Sequence, residues 1–224
     1  MLSTVKFPIA PIIRCSSFEQ GGILPDISFV EPILRRRLSS LSRVVLGLAH
    51  ECAHDIPCVR IVFASRHGEL ARTTTMLDSL AQGESLSPTL FSMSVLNASI
   101  SVFSMLEKNT GPVTAISAGT ASFGLGLLES CVQQEENPDQ SVLFIYADES
   151  PPEIYGRTDI FGGGAHAVAI LLGARAETNV ACYCGDSADN PSAESQSRAF
   201  VRCFDHGKAE WVGAGKYWFW QRIA

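Results

Sequence analysis

One stretch, residues 113–131, limits the possible folds of this chain more than any other. It opens with a short apolar run over 113–117 that follows a Gly-Pro pair, which predicts a buried strand. Two small residues, Ala118 and Gly119, then allow the backbone to bend. From Thr120 onward the apolar residues fall at helical spacing. The stretch therefore predicts a strand that turns directly into a helix.

Such a turn lifts a side chain out of the sheet and places it beside the first N–H groups of a helix, which favour negative charge. Acyl-transfer enzymes place a nucleophile at this position. The candidates here are Thr120 and Ser122, and neither is a cysteine.

The remaining elements can be placed around this turn. Amphipathic spacing predicts helices over 35–54 and 69–81 and a third helix capped by Ser87, and further strands are predicted over 59–65, 141–147 and 165–172. Strands that alternate with helices indicate an α/β fold with a mostly parallel sheet covered by helices on both faces.

We expect a single domain over 1–224, with an irregular N-terminal segment over 1–31 and a core over 32–172. A C-terminal extension over 173–224 is predicted to hold edge strands or a small hairpin and a polar loop at 187–197. The glycine run 162–164 lacks the helix that a phosphate loop requires, which favours a plain turn.

Composition excludes several classes of function. The mean hydropathy of +0.15 is high, but no apolar run approaches the roughly 18 residues that span a bilayer, so no membrane span is expected and the excess is predicted to face a partner. The N-terminus lacks a signal pattern and the seven cysteines are odd in number, which favours a cytoplasmic protein with reduced thiols. A net charge of −6 argues against nucleic acid, and the basic run Arg35 to Arg37 is interpreted as the solvated start of a helix.

The letters His50-Glu-Cys-Ala-His54 match the H-E-x-x-H zinc pattern. The predicted helix ends directly after His54, however, and histidines at a helix C-terminus favour the helix dipole without any metal. Cys58 could complete a fortuitous site, but we expect no metal and no cofactor.

Residues 119–124 resemble a hydrolase G-x-S-x-G motif only loosely, because one extra residue precedes Ser122. A catalytic triad would need His166 or His206. An acyltransferase or serine hydrolase that acts through Ser122 is therefore the alternative function.

From residue 86 onward the chain resembles a β-ketoacyl synthase of the thiolase-like superfamily. Residues 86–97 resemble the segment I-S-P-x-x-x-P-x-x-x-x-N, and residues 111–112 match a Gly-Pro pair before the nucleophile strand. Residues 118–122 then occupy the place of T-A-C-S/T-S, which puts Thr120, or Gly119 if the register slips by one, at the nucleophilic cysteine. Residues 64–69 and the arginine-rich stretch 35–43 are similar to short synthase-like N-terminal domains of aryl polyene gene clusters, and the whole resemblance covers about residues 30–172.

The resemblance implies a thiolase-like half-fold, but it also implies that the chain does not catalyse condensation. The family needs a cysteine thiolate and two histidines, and neither the motif H-G-T-G-T nor K-x-x-x-G-H occurs in the sequence. The resemblance therefore points to a chain-length factor, a non-catalytic partner of an active ketosynthase. This factor would act in a type II system, where the acyl carrier protein binds mainly through that partner.

The same resemblance implies which residues meet the partner. In the family, the segment matching Thr89 to Phe91 reaches the partner's acyl tunnel, and the strand before the nucleophile pairs edge to edge with its counterpart. Leu90 is the expected wall contact, Phe91 and Met93 are further candidates, and Asn97 matches the family's asparagine.

Overall fold

The computed structural model describes residues 5–156 and 164–223, so Gly162 and Gly163 of the expected glycine turn lie outside the described residues. The described strands are β1 Val5–Lys6, β2 Ala10–Glu19, β3 Arg60–Ala64, β4 Val113–Ile116, β5 Val142–Asp148, β6 His166–Leu172, β7 Thr178–Asp186, β8 Lys208–Gly213 and β9 Lys216–Ile223. The described α-helices are α1 Pro32–Arg35, α2 Ser40–Ala53, α3 Leu70–Ala81, α4 Pro88–Ser92, α5 Ala98–Leu106, α6 Ser122–Glu136 and α7 Gln196–His206.

The described strands form one mixed sheet in the order β4-β3-β5-β6-β2-β7-β9-β8, with β1 paired to β7. The α/β class is confirmed, but the sheet is not mostly parallel. Only the β3–β4 and β3–β5 pairs are parallel, and the other pairs are antiparallel. The parallel strands are those separated by helices α3 to α5 or by α6, because a parallel return needs a long crossover. The N-terminal and C-terminal strands join the sheet in the antiparallel sense.

The sequence predicted an irregular segment over 1–31, but Val5–Lys6 and Ala10–Glu19 are strands, and the part from residue 20 to 31 is irregular. Strand β2 lies between β6 and β7 and pairs with β6 from Ile12 to Glu19. The side chains of Ala10, Ile12 and Phe18 are buried in the core. Proline and polar residues in this strand interrupt the continuous apolar run that is typical of a strand covered on both faces.

Helices cover both faces of the sheet, as predicted. Helices α2 and α5 pack on one face over Ile61, Phe63, Leu143 and Ile145. Helices α6 and α7 pack on the opposite face. The core under them consists of large buried side chains: Phe123, Phe144, Phe200, Trp211, Trp218 and Trp220. The C-terminal extension thus supplies four of these six side chains.

Three regions differ from the helices that the sequence predicted. The helix expected over 35–54 begins only at Ser40, as α2, so the Arg35–Arg37 run lies at the end of α1 and in the turn that follows and is not the solvated start of that helix. The third helix begins where expected, with the Leu90 N–H donating to the Ser87 hydroxyl at 3.4 Å, but it is divided into α4 and α5. Helix α7 was not predicted, although Ser195 caps its start and Gly207 ends it in the left-handed conformation, with φ of 76°.

Within the described residues, no helix is long and apolar enough to cross a membrane.

Candidate functional site

Strand β4 is the last strand at one end of the sheet and has β3 as its single neighbour. Its side chains are half-buried or exposed, and Val113 is 39% exposed, so the strand is not buried as predicted. The Pro112 and Ile116 carbonyls accept hydrogen bonds from β3 and the residue after it. Because a parallel ladder alternates, the peptide groups of Val113 and Ala115 point away from β3. No strand of the part of the chain that the structure describes pairs with this outer edge, which leaves it open there.

The turn after β4 is closed by the Ser122 hydroxyl. Gly119 adopts φ of +59°, a left-handed conformation that glycine allows at little cost. The Ser122 hydroxyl accepts from the Ala118 N–H at 2.9 Å and donates to the Gly119 carbonyl at 2.7 Å. Ser122 is fully buried. The hydroxyl therefore stabilises the turn, and it donates its hydrogen bond to a backbone carbonyl.

Thr120 lies in the same turn, half-buried, and in the described part of the chain its hydroxyl makes no hydrogen bond. Neither His166 nor His206 bonds to Thr120 or Ser122 in residues 5–156 and 164–223. The His166 ring packs against Tyr146, with centroids 5.4 Å apart. Burial, followed by the charge of Arg198, lowers the pKa of His166. The structure thus assembles no serine or threonine triad at this turn.

The residues expected to meet the partner divide into two groups. Thr89, Leu90 and Phe91 on α4 are exposed, Leu90 by 43% and Phe91 by 60%. Asn97 is also exposed, before α5, and makes no capping hydrogen bond. Met93, by contrast, lies buried in the core under α2 and α5. Four of the five residues are accessible to a partner, and Met93 faces the chain's own core.

Helix α3 packs against α4 and extends the same exposed region. Met76 is its one buried residue, whereas Leu77 and Leu80 are each more than half exposed. Leu77, Leu80, Leu90, Phe91 and Val95 are named the α3–α4 apolar surface below. Large exposed apolar surfaces on proteins mark interaction sites.

A polar network that sequence reasoning missed holds the loop after β3. The Asp148 carboxylate accepts from the Ser65 hydroxyl at 3.3 Å, from the His67 N–H at 3.0 Å and from the Tyr146 hydroxyl at 3.4 Å. Burial, and then the Asp148 charge, raise the pKa of Tyr146. The Ser117 hydroxyl donates to the Arg66 carbonyl and ties this loop to the end of β4. The available sequence signal was a polar residue at the end of three apolar runs: Ser65, Ser117 and Asp148.

The two histidines of the zinc-like motif have other contacts. His50 stacks on Phe29 with centroids 3.9 Å apart, and its Nδ1 lies 2.8 Å from Glu107. The His54 Nδ1 is 2.8 Å from the His50 carbonyl. Among the described residues, no three His, Cys, Asp or Glu side chains are grouped to hold a metal ion.

The buried cysteines are poorly suited to nucleophilic chemistry. Burial raises the pKa of both Cys52 and Cys131 to about 12. Only a thiolate is a strong nucleophile, so these thiols stay protonated and unreactive near neutral pH.

Comparison with known proteins identifies the fold. A family model described as the β-ketoacyl synthase N-terminal domain matches residues 14–221. No curated protein matches the chain.

Three solved structures are similar over most of this chain. A chain from the complex of the ketosynthase ApeO with its chain length factor ApeC, from Xenorhabdus doucetiae, is 27% identical with a TM-score of 0.80, and the match covers 99% of each chain. A β-ketoacyl synthase from Burkholderia phymatum STM815 is 9% identical with a TM-score of 0.60, over 86% of this chain and 66% of that one. The ishigamide ketosynthase/chain length factor is 13% identical with a TM-score of 0.57, over 76% of this chain and 54% of that one. The last two show the fold alone, and together the matches establish the thiolase-like ketosynthase fold.

Proposed function

This chain belongs to the β-ketoacyl synthase N-terminal domain family, and on that premise we propose that it is a non-catalytic chain-length factor. It pairs with an active ketosynthase and shapes the acyl tunnel of that enzyme. The observation that carries the proposal is the open edge of β4 together with the exposed α3–α4 apolar surface.

The chemistry of the turn supports a role without catalysis. Decarboxylative condensation requires a nucleophile that forms a thioester and donors that stabilise the developing negative charge. This chain has Thr120 where the resemblance expects a cysteine, and the nearby Ser122 hydroxyl is engaged by the backbone. The active thiolate and histidines would come from the partner.

The open β4 edge supports pairing with a second protein. An unpaired edge is a template for another strand, and proteins normally protect such edges. A partner strand on Val113 and Ala115 would satisfy their outward peptide groups and extend the sheet across both subunits.

The whole-length match also supports this assembly. The match covers 99% of both chains, so the matched chain of the ApeO–ApeC complex is about as long as this one. A chain of similar length and fold therefore occurs in a complex between a ketosynthase and its chain length factor.

In this proposal α4 limits the product by size alone. Leu90 and Phe91 project from the surface and would form part of the wall that the growing acyl chain meets in the partner. A bulkier side chain overfills such a space at a cost of about 1–3 kcal/mol, which favours release of a shorter product. We further propose a cytoplasmic type II system that makes an aryl polyene or a similar polyketide on an acyl carrier protein.

The decisive experiment reconstitutes the pair with Leu90→Trp and analyses product length by mass spectrometry. We expect shorter products, with the rate of the first condensation nearly unchanged. Val5→Trp is the matched control, because Val5 is exposed on β1 at the opposite part of the sheet, and it should leave product length unchanged.

Two results would contradict the proposal. Equal loss of all chain lengths in Leu90→Trp would mean that Leu90 does not gauge length. A covalent acyl adduct on the chain alone that disappears in Ser122→Ala would instead establish acyl transfer by this protein.

A further inference from the structure

Glu69, the residue directly before α3, carries a buried carboxylate that the proposed function leaves unused. Glu69 is 4% exposed, and its Oε1 accepts hydrogen bonds from the Ser39 and Ser42 hydroxyls, each at 2.7 Å. Its Oε2 lies 3.4 Å from the Nε of Arg72, in the first turn of α3. Glutamates are seldom buried unless they are paired, so these partners fix the position of the side chain.

The partners of Glu69 belong to separate elements of the fold. Ser39 caps α2, where its hydroxyl accepts from the Ser42 N–H at 2.9 Å. The Ser42 hydroxyl lies 2.9 Å from the hydroxyl of Ser99 on α5. One carboxylate therefore joins the start of α3 to α2 and, through Ser42, to α5.

The loop that ends at Glu69 also contacts the segment that follows α4. Gly68 adopts φ of +56°, and a Cβ atom at that position would lie 3.0 Å from the Cδ1 of Leu96. Leu96 belongs to the connection between α4 and α5, whereas α3, which begins directly after Glu69, packs against α4 itself. The loop is therefore placed to fix the chain on both sides of α4.

Helix α4 depends on these neighbours because it contributes little to its own stability. It has five residues, and none of them is buried. A helix of this length is not stable by itself in water. Its position is set by α3 and by Met93, which follows it and is buried in the core.

We propose that Glu69 is a positioning residue for product length. It holds α3, and with it the α3–α4 apolar surface, at a fixed distance from the core, so that Leu90 and Phe91 form a rigid wall. This inference rests on the proposed function, since it assumes that the wall limits the acyl chain in the ketosynthase. Glu69 is buried and acts only through that surface. Without its network the wall would move outward under a growing chain, and longer products would form.

The test measures product length by mass spectrometry with the reconstituted pair. Glu69→Gln keeps the size of the side chain and an acceptor oxygen but removes the charge that pairs with Arg72. We expect products longer than the main wild-type product to increase at least about threefold, with the rate of the first condensation within about twofold of wild type. Ser42→Ala should cause the same change to a smaller extent, because it removes one donor to Glu69 and the link to α5.

A double-mutant cycle shows whether Glu69 acts through the wall. Leu90→Trp should shorten the product less in the Glu69→Gln background than in the wild type, because the added side chain would then stand on a surface that moves. Glu19→Gln is the matched control. Glu19 is a carboxylate on β2 that pairs with Arg198, so this variant also breaks a carboxylate–arginine pair, and it should leave product length unchanged.

Several results would overturn the positioning role. Wild-type product lengths from a Glu69→Gln heterodimer, or full shortening by Leu90→Trp in that background, would show the inference to be wrong while the proposed function stood. Loss of the heterodimer in both Glu69→Gln and Ser42→Ala, seen by size-exclusion chromatography, would assign the network to folding or assembly. Equal lengthening in Glu19→Gln would assign the effect to general destabilisation. Failure of Leu90→Trp to shorten the product in the wild-type background would contradict the proposed function itself.

Discussion

Strands β4 and β8 are the two edge strands of the sheet, and they differ in whether other parts of the chain cover them. The chain itself covers β8: the Ser192 N–H donates to the Val212 carbonyl at 2.8 Å, and the Val212 N–H donates to the Ser192 hydroxyl at 2.9 Å. The Trp211 indole also donates to the Glu194 carbonyl. Strand β4 has no such cover among the described residues, and its outer peptide groups are open.

The difference shows which end of the sheet is completed by contacts within this chain and which end is not. At the β8 end, the large aromatic side chains of β9 and α7 close the core against α6. At the β4 end, apolar side chains on α3 and α4 remain exposed. Natural proteins protect the edges that they do not use, so under the proposed function the unprotected β4 edge is the one that pairs with the ketosynthase.

The largest expected effect is on the free energy of unfolding, and it comes from a substitution at the covered β8 end of the sheet. Trp218 is 2% exposed and packs on Trp220 and Phe7. We expect Trp218→Ala to lower the free energy of unfolding by about 3–5 kcal/mol, as measured by urea denaturation. Phe91→Ala, at the uncovered end, should change it by less than about 0.5 kcal/mol. Equal losses would show that α4 is packed in the isolated chain.

Gly124→Ala tests how closely α6 meets the C-terminal extension. A Cβ atom there would lie 2.6 Å from the Gln196 Nε2 and 2.8 Å from the Trp218 ring. We expect destabilisation of about 1–3 kcal/mol from overpacking, despite the better helix propensity of alanine. Leu125→Ala, an exposed position on the same helix, is the control in the same thermal unfolding measurement, and an increased Tm in Gly124→Ala would refute the close contact.

Ala115→Pro probes the open edge. Proline removes an N–H that points away from β3, so it should hardly affect the stability of the isolated chain. Loss of a hydrogen bond to the partner strand should weaken heterodimer formation by about tenfold, as measured by analytical ultracentrifugation. Ala115→Val keeps the N–H and should assemble normally. Full assembly of the proline variant would exclude pairing at this edge.

Ser122→Ala should have the smallest effect. Removing the hydroxyl leaves the Ala118 N–H without its partner and should cost about 1 kcal/mol of stability, as for a lost helix cap. Product formation by the reconstituted pair should continue. Abolished product with intact assembly would indicate a chemical role for Ser122.

The sequence predicted several, but not all, of the elements whose signals are local. Ser87 caps α4 as predicted, and the apolar runs at β3, β5 and β6 form strands near their expected bounds. Helix α7 was missed although its local signals, the Ser195 cap and the terminal Gly207, were present.

Other features depend on contacts that are distant in sequence. Strand β2 pairs with β6 more than 140 residues away, and no local pattern in Ala10–Glu19 specifies that neighbour. The apolar run of β4 predicted burial, but the sequence does not state whether the covering surface belongs to the same chain. The buried position of Met93, in the core under α2 and α5, was likewise not evident from the sequence.

Amide hydrogen exchange at Val113 and Ala115 tests the central claim most directly. Their outward N–H groups should exchange rapidly in the isolated chain and become protected when the ketosynthase partner is added, while the amides of β9 stay equally protected in both states. Unchanged exchange at Val113 and Ala115 in a formed complex, or new protection confined to the β8 end, would contradict the claim that β4 is the partner-facing edge.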